Sequence, residues 1–69
     1  MTVSLNQQID EVKRELAARD DVYKRLVVTR RIRQSVADFQ MDRMRAVLAT
    51  LEWLQRHEVE IRAFLGADA

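Results

Sequence analysis

The 69-residue chain has no cysteine, no proline and a single glycine, Gly66. The lack of cysteine excludes a disulfide and a thiolate metal site. The turn residues that bound short strands are almost missing, while Ala, Leu, Val, Arg and Glu, mostly good helix formers, abound. These absences predict an all-α chain. Long apolar runs are lacking too: nothing approaches the roughly 20 residues needed to cross a bilayer. The opening Met-Thr-Val-Ser-Leu-Asn-Gln has no basic segment leading into an apolar one, so no signal peptide is expected. The chain is expected to be cytoplasmic, with no membrane partner.

A single domain of this length encloses little core. Below roughly 70 to 80 residues a fold usually needs a disulfide, a metal or a second subunit. With the first absent and no metal motif present, association is the expected support.

Charge is uneven although the total is only +1. Residues 1–22 carry a net −2, residues 23–45 a net +5 and residues 46–69 a net −2. A basic centre lies between acidic ends.

Two helices are predicted. The first opens at the capping-box pattern Ser4-Leu5-Asn6-Gln7 and runs over about 5–29. Its apolar positions Leu5, Ile9, Val12, Leu16, Tyr23 and Leu26 form a heptad seam, with Arg19 in the one gap. Val22 and Val28 fall off that seam. Asp10/Arg14, Glu15/Arg19 and Asp20/Lys24 are acid-first pairs four apart, suited to a solvated face. The β-branched run Val27-Val28-Thr29 weakens the end. Ser35 then reads as a second N-cap with Asp38 in the first turn. The second helix is expected over about 36–65, with Gly66 as its stop and 67–69 frayed.

This second helix has two apolar faces. Met44, Val47, Leu48, Leu51, Leu54, Ile61 and Leu65 form a wide arc. Phe39, Ala46, Ala49, Trp53 and Phe64 form a stripe roughly opposite. The arc can pack on the first helix as an antiparallel hairpin, with Leu5 by Ile61, Val12 by Leu54, Leu16 by Leu51, Arg19 by Val47 and Tyr23 by Met44. Two helices do not enclose a core, so two hairpins are expected to pair into a four-helix bundle.

The stripe Phe39, Ala46, Ala49, Trp53 and Phe64 is the expected homodimer interface, since small residues between aromatics let another helix approach. The plainer reading is scattered exposed apolar residues. At the tip, Lys24, Arg25, Arg30, Arg31, Arg33, Arg43 and Arg45 gather near Tyr23 and Phe39, a composition suited to an acidic protein surface or to nucleic acid. Asp38 and Asp42 dilute it, which makes nucleic acid the lesser expectation. Tyr23, Arg31, Arg33, Phe39 and Arg43 are the candidate partner-binding residues. Arg19 either sets register against an acid such as Glu58 or keeps its head in water at the seam's edge. His57 beside Glu58 and Glu60 is too sparse for metal or acid–base chemistry. No nucleophile–base pattern or phosphate loop is present, so no enzyme activity, catalytic residue, metal or cofactor is expected.

Leu5 to Leu16, Val22 to Arg25, Gln34 to Asp38 and Met44 to Leu51 together resemble a family of short phage and prophage proteins. The family pattern has an L-x-x-Q-I-x-x-V-x-R-E-L opening, a V-Y-x-R segment, a basic loop, Q-x-x-A-D-x-x-I-x-x-M and A-V-L-x-T-L. The match covers most of the chain. It departs where the family loop often carries Gly and this chain has Arg30, and where Met41 replaces the usual Ile. In size and helical layout the chain is also similar to the quorum-sensing anti-activators of Mu-like phages of Pseudomonas. That resemblance implies a small helical dimer that blocks the DNA-binding domain of a LuxR-type activator and also inhibits the type IV pilus assembly ATPase. No site residue is carried over from it. Two alternatives remain open: an RNA- or DNA-binding dimer resembling the small plasmid copy-number regulator that grips paired RNA loops, and a structural piece of a phage.

Overall fold

A computed structural model of the chain describes residues 2–67. They form three helices and no strand: α1 Leu5–Val28, α2 Gln34–Arg56 and α3 Glu58–Ala67. α1 packs on α2, and α3 touches only α2.

The capping box at the start of α1 forms as the sequence implies. Gln7 N–H donates to Ser4 Oγ at 3.1 Å, and Ser4 N–H donates to Gln7 Oε1 at 2.9 Å. Two otherwise orphaned backbone donors are thereby satisfied.

The other end of α1 is closed by a device the sequence hides. Arg31 N–H donates to the Leu26 carbonyl at 2.8 Å, and Arg30 N–H to the Val27 carbonyl at 3.0 Å. These are the two bonds of a Schellman stop, which wants a left-handed residue between them, usually glycine. Here that residue is Arg30, with φ 61°. The chain's one glycine is used elsewhere: α3 runs through Gly66 to Ala67, so Gly66 is not the stop expected of it. Asp68 and Ala69, expected to fray, lie outside the described residues.

α2 starts at Gln34, ahead of the expected Ser35 cap. The N-cap is Arg33, which offers no side-chain acceptor. Val36 and Ala37 N–H donate to its carbonyl at 3.1 and 3.2 Å. Asp38, expected to serve the helix start, accepts instead from Gln34 Nε2 at 2.9 Å. The turn is therefore one residue shorter than expected. The expected alignment puts Asn6 opposite Glu60, but Asn6 Oδ1 accepts from Gln55 Nε2, five positions earlier. Leu5 accordingly does not face Ile61, because α1 makes no contact with α3.

The expected second helix is also interrupted at His57 (φ −107°, ψ 9°). Its N–H is shared between the Trp53 and Leu54 carbonyls, both at 3.2 Å, a local tightening at the end of α2. Its ring leans on Trp53, with centroids 4.5 Å apart. Glu58 and Glu60 then sit in the first turn of α3, where acidic charge favours a new helix start.

Among the described residues only Ile9, Ala37 and Met41 are buried. All three lie where α1 meets α2. Leu5, Val12, Leu16, Tyr23, Leu26, Met44, Leu48, Leu51, Leu54 and Ile61 are half-buried.

Two substitutions at the turn follow from this geometry. Arg30→Gly removes a left-handed penalty of about 1–2 kcal/mol, partly offset by the greater freedom of glycine in the unfolded chain. Arg33→Asp supplies the missing cap acceptor, worth about 1 kcal/mol. Urea unfolding followed by circular dichroism is expected to show each variant at least about 0.5 kcal/mol more stable than the parent. A loss of stability in Arg30→Gly would contradict the left-handed assignment.

Candidate interaction surfaces

α2 presents its two faces differently. Met44, Leu48 and Leu51 turn toward α1, with Ala37 and Met41 at the centre of the contact. The Phe39, Ala46, Ala49 and Trp53 positions turn away from it and are exposed. Trp53 is 50% exposed even with His57 beside it. Phe64 is exposed as well but belongs to α3, beyond the break at His57. The stripe is thus uncovered within the chain, and its α3 end is carried by a separate helix.

The tip residues are sorted by their ion pairs. Lys24 binds Asp20 at 2.9 Å and Arg45 binds Asp42 at 3.3 Å. Arg25, Arg30, Arg31, Arg33 and Arg43 have no acidic partner within 4.0 Å among the described residues. All five are exposed. Arg43 lies over the Phe39 ring, 5.5 Å from its centroid, a cation–π arrangement on the surface. The five expected partner-binding residues therefore divide. Phe39 and Arg43 are together on α2, Arg31 and Arg33 are in the turn, and Tyr23 is half-buried at the helix contact.

The remaining candidates have local partners. Arg19 reaches Glu15 at 3.6 Å, while Glu58 is taken by Arg62 at 2.8 Å. Arg19 therefore sits at the edge of the contact with its head partly in water. Arg14 pairs with Glu11 at 2.9 Å rather than with Asp10. His57 Nδ1 is 3.5 Å from Glu60 Oε2. No three His, Cys, Asp or Glu side chains come together as a metal cluster among the described residues. No described helix is long and apolar enough to cross a membrane.

The α1/α2 contact has two long edges. One hollow is lined by Asp20, Lys24, Gln34, Asp38 and Arg45 and, on its apolar side, by Tyr23, Val27, Val28, Ala37 and Met41. Its charges are satisfied within each helix, by Asp20–Lys24 and Gln34–Asp38 at 2.9 Å. The other edge holds a hollow lined by Arg19, Gln40, Arg43, Met44 and Val47. Val12 and Leu51 continue it toward the start of α1. Val47 lines this second edge, and at 100° per residue Val22 and Val36 fall on the same side of their helices; the three are 47%, 41% and 44% exposed. By spacing Val22 falls off the heptad seam and Val47 falls in the hairpin core, yet in the structure both are exposed. Plotting each helix at 100° per residue shows both apolar arcs skewed to one side. Which sides coincide is set by the turn, and that is not written in either helix.

No known protein family, curated protein or solved structure matches the chain.

The Asp20 carboxylate, by accepting a hydrogen bond from the Lys24 ammonium and by its charge, holds the Lys24 pKa above its ordinary value. A pKa raised on folding stabilises fully below the unfolded lysine value and is lost as pH rises through the folded one. Asp20→Asn is therefore expected to lower the Lys24 pKa, read by NMR titration of the side-chain nitrogen. Through this pair it is expected to change stability around neutral pH only by a pH-independent increment. An unmoved lysine titration would show that the pair does not persist in solution.

Proposed function

We propose that the chain is a non-enzymatic, phage-encoded inhibitor that binds host protein as a homodimer of antiparallel helical hairpins. The observation that carries this reading is the contrast between three buried residues and the apolar surface left open on α2 and α3. Exposed apolar surface rimmed by unpaired arginines suits a protein partner with an acidic margin. A preformed helical face binds with little ordering cost, which suits inhibition by occlusion.

The resemblance to the anti-activators of Mu-like Pseudomonas phages supplies the partner: a LuxR-type quorum-sensing activator, blocked at its DNA-binding domain. The type IV pilus assembly ATPase is the second target on the same reading. Two surfaces compete for the second copy of the chain, the Phe39/Ala46/Ala49/Trp53/Phe64 stripe and the valine edge. The surface not used for pairing is left for the host protein, together with Arg31, Arg33 and Arg43.

The arginine-rich turn supports one other reading, a helical dimer that grips RNA or DNA. Salt separates the two. Phosphate contacts are lost steeply as salt rises, with a slope set by their number.

The test uses a LuxR-type activator bound to its operator. Added chain is expected to release the DNA, with no retardation of RNA or DNA by the chain alone at low salt. An undisturbed activator–DNA complex would remove that target. Direct, salt-sensitive retardation of nucleic acid would favour the second reading.

A further inference from the structure

We infer that the second copy of the chain packs against the valine edge of the α1/α2 pair, leaving the Trp53 stripe on the outside of the bundle. This rests on the reading that the chain works as a homodimer and says which surface makes it one.

Three observations lead there. The first is area. The chain exposes 5872 Å², whereas a folded monomer of 8.1 kDa exposes about 4,500 Å². The excess, about 1,400 Å², exceeds the roughly 800 Å² that each partner buries in a stable interface. α3, which contacts only α2, contributes part of it. The rest lies along the helix pair.

The second is direction. In a four-helix bundle each helix buries an arc aimed diagonally at the bundle axis, between its hairpin neighbour and the opposite hairpin. On α1 the covered positions run from the buried Ile9 through the half-buried Val12 and Leu16 to Leu26, and Val22 extends them toward the edge. On α2 they run from the buried Met41 through the half-buried Met44 and Leu51 to Leu54; Val47 extends them toward the same edge, and Val36 falls on that side by its helical spacing. Both arcs therefore lean the same way. The Trp53 stripe lies on the far side of α2 alone, where α1 adds nothing to it.

The third is charge. The opposite edge is lined by acids and bases already paired within their own helices, Asp20 with Lys24 and Asp42 with Arg45. On the valine edge Glu15–Arg19 and Glu11–Arg14 also pair within α1 and Arg43 lies over Phe39, with the charged side chains reaching water around the apolar strip, so that strip can be covered without breaking either pair.

The absence of native cysteine makes the test direct. Val47 and Ala46 are neighbours near the middle of α2, on the edge and on the stripe respectively. A two-fold axis through either surface brings a mid-helix residue close to its own copy. With dimerisation of the parent chain measured by light scattering, Val47→Cys is expected to oxidise to a covalent dimer at least fivefold more completely than Ala46→Cys. Circular dichroism of both reduced variants checks that they fold. As a second measurement, Val36→Glu is expected to weaken dimerisation at least tenfold, and Phe39→Glu to leave it within twofold. Preferential cross-linking of Ala46→Cys, or a dimer that tolerates Val36→Glu and is broken by Phe39→Glu, overturns the edge and returns the seam to the stripe. A monomeric parent chain overturns the dimer reading itself.

Discussion

Two helices laid against each other bury only what lies on their line of contact. That constraint governs the rest of this structure. Ile9, Ala37 and Met41 are on the line and are buried, while nearly every other apolar side chain is at best half covered. Ala37 sits close to the turn, where a small side chain lets α1 and α2 approach. A core of this size does little to offset the conformational entropy lost by the ordered residues. Within the chain, what else stabilises it is local, such as the Ser4/Gln7 box and the ion pairs one turn apart.

Much of the helical content was legible because it rests on local signals. The Ser4/Gln7 box marks the start of α1, and the β-branched run ending at Thr29 marks its end to within a residue. The start of α2 was misplaced by a local signal that lost to a neighbouring one. Ser35 is a good N-cap by type, but the left-handed turn at Arg30 delivers the chain into helix before Ser35 is reached. Because glycine is the usual residue there, Arg30 concealed the turn, while Gly66 advertised a stop inside α3. The expected alignment also did not bring Asn6 to Gln55, whose side chains are joined by a hydrogen bond. His57 carries no helix-breaking character of its own, and only its approach to Trp53 and the acids after it make sense of the interruption.

The surfaces were legible in composition and illegible in arrangement. The Phe39–Trp53 face of α2 is as exposed as its spacing implied, and the arginines of the tip are largely unpaired. The valine edge could not be read in the same way. It is composed of residues from two helices, and a wheel drawn for either one leaves open which flanks meet. A one-residue change in the turn would rotate α2 by about 100° and break the alignment of Val36 and Val47 with Val22. The edge is therefore a property of the turn as much as of the valines.

Arg30 joins the turn to the surface chemistry. A left-handed arginine is strained where glycine would not be, and strain of this kind gathers at positions where another role holds the side chain in place. Here the strained residue is also one of the unpaired guanidinium groups at the tip. Glycine at this position would relax the backbone and remove a cation from the surface proposed to meet the host protein. Stability and partner affinity should then move in opposite directions on one substitution. A purely structural turn would gain stability and leave binding unchanged.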